Sequence, residues 1–171
     1  MNQSASRFAS VLLSMLLSGA AVAGPSNTGA PDVPANRIVG LWSTEGLVGP
    51  CGGTPVNPVR NTLLFQAGGT VVENPRFPPN GAPNVFGVQG TNQRNQALGT
   101  WWFDPATGKY SMHLRFDWFV DNVYHGYMTI DREIRLSTDG MQASGPVWAA
   151  RFDANDNQIA QLCGEADSVR L

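Results

Sequence analysis

Apolar and polar residues alternate one for one between Tyr110 and Val120. Tyr110, Met112, Leu114, Phe116, Trp118 and Val120 fall on one side; Ser111, His113, Arg115 and Asp117 fall on the other. A period of two belongs to a β-strand with one face in a core and one face wet. No window of a dozen residues carries apolar side chains at helical spacing. The pattern predicts eight strands, at about 37–46, 60–66, 70–75, 96–103, 109–120, 123–136, 141–152 and 157–170.

The breaks between these segments are turn chemistry. Ala67-Gly68-Gly69 offers the positive φ of a tight hairpin, and Asp104-Pro105-Ala106-Thr107-Gly108 places Pro and Gly in turn positions. Thr138-Asp139-Gly140 and Asp153-Ala154-Asn155-Asp156-Asn157 follow the same logic. The last is Asp-rich but lacks the Gly and distant Glu of an EF-hand loop, so it reads as a turn. Residues 76–95 form the one long irregular segment, and Phe77, Val85 and Phe86 in it predict packing on the rest of the domain. Consecutive antiparallel strands with short turns give an all-β, eight-stranded, up-and-down barrel, in which closure removes both exposed edges.

The N-terminus changes where this barrel is expected to work. Arg7 precedes an apolar run from Phe8 to Leu17, and Ala21-Val22-Ala23 is a small-x-small cleavage pattern. Residues 1–23 therefore read as a secretory signal peptide, too short in its apolar run for a membrane span. Residues 24–36, GPSNTGAPDVPAN, read as a flexible leader, and 37–171 as one barrel domain. The expected location is periplasmic or secreted. Export makes the two cysteines, Cys51 and Cys163, an expected disulfide, which would tie the segment after the first strand to the last strand. Acidic side chains number 13 against 11 basic ones, with a single lysine, Lys109. Such a chain lacks the cations that hold nucleic acid or an anionic membrane.

Gly40-Leu41-Trp42 on the first strand and Arg170 at the end of the last resemble the signature residues of the lipocalins and the wider calycin barrels. The resemblance implies a ligand-carrying cup in which Arg170 packs over Trp42 and in which Gly40, Trp42 and Arg170 are structural. The helix and the T-D-Y motif of true lipocalins are absent, so a lipocalin-like barrel is the closer description.

The candidate chemistry follows from which face of residues 110–120 turns inward. Burying Arg115 and Asp117 costs several kcal/mol per unpaired charge. Burying Met112, Leu114, Phe116 and Trp118 gains about 1.5–3 kcal/mol each. The apolar face is therefore the expected interior, and Trp101, Leu114, Phe116 and Trp118 are the expected lining of a site for a small apolar or aromatic molecule. In the opposite arrangement His113, Arg115 and Asp117 would face a cavity and could serve an isomerase- or cyclase-type enzyme. A third reading is an envelope protein with a filled core. No phosphate-binding glycine loop, nucleophile elbow or H-E-x-x-H is present, and nothing in the sequence calls for a metal or a cofactor.

Overall fold

The computed structural model describes residues 33–171. The expected signal peptide and cleavage site, and most of the expected leader, lie outside the described residues. Ten strands run in chain order: β1 (Gly40–Pro50), β2 (Asn57–Phe65), β3 (Thr70–Pro75), β4 (Ala82–Pro83), β5 (Thr91–Arg94), β6 (Ala97–Asp104), β7 (Lys109–Val120), β8 (Val123–Leu136), β9 (Gln142–Phe152) and β10 (Gln158–Arg170). Eight of them close a barrel in the order β1-β2-β3-β6-β7-β8-β9-β10, and β10 returns to pair antiparallel with β1. This is the expected all-β, eight-stranded, up-and-down barrel.

Two strands were not anticipated. β4 and β5 lie within the segment read as irregular, and β5 pairs with Trp118–Val120 of β7, beyond the stretch of β7 that β6 covers. The reason β5 leaves no trace in the hydrophobic pattern is that its inward residues are polar. Asn92 is fully buried, and Arg94 points to Glu73 of β3. The tight turn at Asp121-Asn122 joins β7 to β8 with positive φ at both residues (51° and 65°), the geometry of a two-residue hairpin. The first strand begins at Gly40, because Pro34–Asn36 form a 3-10 turn and the chain from there to Val39 crosses one end of the barrel.

The barrel therefore has two unlike ends. One end is closed by the 34–39 segment over a layer of large side chains: Ile38, Trp42, Phe65, Trp101, Tyr110 and Ile134. The Tyr110 hydroxyl donates to the Pro34 carbonyl, and Trp42 Nε1 donates to the Ile38 carbonyl at 2.8 Å. Arg170 donates to the carbonyls of Arg37, Val39 and Gly140, and its guanidinium carbon lies 4.3 Å from the Trp42 ring centroid. Gly40 has φ +135°, and a Cβ there would come within 2.7 Å of Arg170 Nη1. The backbone conformation favours glycine at that position, and a side chain there would displace the Arg170 guanidinium.

At the other end the loop after β1, the 76–90 segment and the turns after β7 and β9 surround a mouth. Cys51 and Cys163 are bonded there, with Cα atoms 4.8 Å apart and a sequence separation of 112. Cys51 directly follows the paired residues Gly49 and Pro50, opposite Cys163 and Leu162 of β10.

Candidate functional site

The interior of the barrel is not filled. A cavity of about 310 Å³ lies above the closed-end layer and opens toward the 76–90 segment. Its wall on β7 is the apolar face of the alternating strand: Met112, Leu114, Phe116 and Trp118. Met128 and Ile130 of β8, Val147 and Ala149 of β9, and Leu162 and Ala166 of β10 continue it. Ala149 of β9 and Ala166 of β10 place small side chains on this wall, which leaves space.

Of the expected lining residues, Leu114, Phe116 and Trp118 border the cavity. Trp101 does not. It is buried in the closed-end layer, where its ring meets Phe65 and Tyr110 and its Nε1 donates to the carbonyls of Gln66 and Thr70. The turn after β2 holds Trp101 below the floor, and that turn's carbonyls are its tertiary partners, which the hydrophobic pattern does not reveal.

Over the mouth, Phe77 and Phe86 approach the Trp118 ring with centroids 6.4 and 6.2 Å away. Trp118 Nε1 donates to Asn92 Oδ1 at 2.9 Å, and Asn92 Nδ2 donates to the carbonyls of Val88 and Gly90. Asn92 therefore ties the 76–90 segment to the upper rim. Phe86 takes φ +49°, a left-handed conformation that is uncommon for an aromatic residue and is held by its packing at the mouth.

The polar trio of β7 is on the outer surface. His113 Nδ1 sits 2.8 Å from Asp131 Oδ1 of β8, Arg115 lies over the Tyr127 ring, and Asn95 Nδ2 donates to Asp117 Oδ2. These are pairings between side chains of neighbouring elements on the wet face, and none of the three residues borders the cavity.

The interior nevertheless contains charge that the hydrophobic pattern does not flag. Glu73 is 1% exposed and forms an ion pair with Arg94, while Asn61 Nδ2 donates to the same carboxylate. Arg94 also stacks over Phe116, 3.4 Å from the ring centroid. Burial pushes the Arg94 pKa down and Glu73 pulls it back up. Arg132 is 3% exposed on the inner face of β8, opposite Met112 of β7. Its Nη1 donates to Ser168 Oγ at 2.9 Å and its Nη2 to the Ala166 carbonyl at 2.6 Å. Ser168 in turn shares a hydrogen bond with Thr44 of β1 at 2.8 Å. Desolvation lowers the Arg132 pKa to about 10, with Asp167 and Glu165 opposing at longer range. The sequence does hold a signal for Arg132: it is in phase with Met128, Ile130 and Ile134, all of which face inward.

The site can therefore enclose an apolar body and offer it a few fixed polar groups. Among the described residues that line it, no nucleophile and base lie in hydrogen-bond reach of each other. In comparison with known proteins, the chain matches no protein-family model and no curated sequence.

Proposed function

We propose that this protein is an exported binding module that carries a small apolar or aromatic molecule in its barrel. The observation that carries the reading is the 310 Å³ apolar cavity, bounded by Met112, Leu114, Phe116 and Trp118 and covered by Phe77 and Phe86. Its size lies at the lower end of small-molecule sites, and its lining is predominantly apolar with a few convergent polar groups, as such sites are. A filled core would leave no such space. The outward position of His113, Arg115 and Asp117 takes away the support on which the enzyme reading rested. Export rests on the signal-like residues 1–23, and the disulfide is consistent with it.

The test is uptake of a neutral apolar dye, N-phenyl-1-naphthylamine, followed by fluorescence. The wild-type protein is expected to take up one dye per chain. Ala149→Phe, which fills the cavity from the β9 wall, is expected to weaken uptake at least tenfold. His113→Ala is expected to leave it unchanged. Exclusion of the dye by a folded wild-type protein would refute the binding reading.

A further inference from the structure

The cavity has a charge at its deep end that no carboxylate among the described residues pairs with. Arg132 is level with Met112, the lowest cavity residue on β7, just above the closed-end layer. A guanidinium has five N–H donors. Two of the five from Arg132 go to Ser168 Oγ and the Ala166 carbonyl, both neutral acceptors, and Nε has no acceptor among the described residues. None of the ion pairs among the described residues includes Arg132. Glu165 and Asp167 are the nearest acidic influence, and both are exposed on the outer face of β10.

The same cavity shows what a self-contained buried arginine looks like. Arg94 is met by Glu73, and Asn61 steadies that carboxylate. Arg170, the arginine of the closed end, has three carbonyl acceptors and the Trp42 face. Arg132 has the burial of Arg94 without its carboxylate. An isolated buried charge is costly, and an apolar side chain of similar volume would be cheaper at this position. The cost is recovered when an anion arrives, since a guanidinium receives a planar carboxylate on two parallel N–H donors.

On the reading that the cavity binds an apolar molecule, we propose that its ligand is an amphipathic organic acid. The carboxylate is received head first by Arg132 at the deep end, and the apolar body extends past Leu114 and Phe116 to Trp118 under the mouth. The run from Met112 to Trp118 measures about 20 Å along the strand, long enough to separate a charged head from an apolar tail. Thr44 and Ser168 hold Arg132 in place from below and act as positioning residues.

The experiment is displacement of N-phenyl-1-naphthylamine from the full protein at pH 8 by three probes of equal tail length: decanoate, 1-decanol and decylammonium. Decanoate is expected to displace the dye at least tenfold more effectively than decanol, with decylammonium the weakest. In Arg132→Met the dye is still taken up, and decanoate and decanol become equivalent within twofold. Arg132→Gln serves the same comparison should the methionine variant not fold. Equivalence of decanoate and decanol in the wild-type protein would overturn the proposal, and so would an acid preference that survives in the Arg132 variants. If the wild-type protein takes up no dye at all, the binding reading itself fails, a result distinct from the loss of acid preference alone.

Discussion

Arg170 and Trp42 are direct cross-strand partners on β10 and β1, and the guanidinium of the one lies 4.3 Å above the ring of the other. The pair closes the barrel twice over: it joins the last strand to the first, and it seals the end on which the cavity rests. Trp42 is 1% exposed, so Trp42→Ala is expected to cost about 3–5 kcal/mol as a large-to-small change in the core. Arg170→Met is expected to cost about 1–3 kcal/mol, because three carbonyls lose their donor. A double-mutant cycle by urea unfolding should return a coupling of about 0.5–2 kcal/mol for the cation–π contact. A Trp42→Ala loss below about 1 kcal/mol contradicts the buried register.

The Cys51–Cys163 bond closes a loop spanning nearly the whole barrel, its ends separated by 112 in sequence. In the chain-entropy account such a loop contributes about 4–5 kcal/mol, and removal of native disulfides costs about 2–5 kcal/mol in practice. The double variant Cys51→Ser, Cys163→Ser is expected to unfold at lower urea concentration by that amount. Thiol titration of the denatured, unreduced wild-type protein should find no free thiol; two per chain would contradict the bond.

Arg132 gives a pH-dependent prediction with a definite sign. Burial lowers its folded-state pKa to about 10, so the fold disfavours the charged form. That penalty is fully present below pH 10 and fades as pH rises above 10, where the folded protein sheds the proton before the unfolded chain does. At 1.36 kcal/mol per pH unit the shift corresponds to about 3 kcal/mol. Arg132→Met, measured by urea unfolding at pH 7, is expected to fall between no change and a gain of that size. A loss above about 1 kcal/mol would mean that the bonds to Ser168 and Ala166 outweigh the desolvation.

Three turn carboxylates set the response to acid. Asp104, Asp139 and Asp153 each have a pKa below the usual 3.8, chiefly through hydrogen bonds from the side chains of Thr107, Ser137 and Asn157 respectively. A depressed folded-state pKa means stability that is present above pH 3.8 and lost as pH falls through the lower folded value. The wild-type melting temperature is expected to drop on acidification below about pH 4. In Asp104→Ala, Asp139→Ala and Asp153→Ala the drop should be smaller, from a lower starting stability at pH 7. An identical acid response in all three variants would remove these turns from the account.

The architecture was legible because the barrel obeys period two wherever its inward residues are apolar. Tyr110 to Val120 announced both a strand and its buried face, and the cost of burying Arg115 and Asp117 beside the gain from Leu114 and Phe116 decided which face went in. Glycine-rich and Asp-rich breaks marked the turns, and two cysteines in an export-type chain marked the bond. β5 was hidden because Asn92 and Arg94, its inward pair, are polar and find their partners on β7, β3 and the 76–90 segment.

The sequence by itself determined strand order, closure and the choice of interior face, because these follow from local alternation and from the large free-energy difference between burying apolar and charged groups. Only the tertiary structure decided which inward residues face empty space. Trp101 and Trp118 are equally apolar and both point inward, yet the turn after β2 holds one below the floor while the other stands at the mouth. The same holds for the interior arginines. Arg94 meets Glu73 across 21 residues of sequence, and Arg132 meets only Ser168 and the Ala166 carbonyl. Whether a buried charge is paired depends on which side chain arrives opposite it once the barrel closes, and alternation along a single strand carries no information about that.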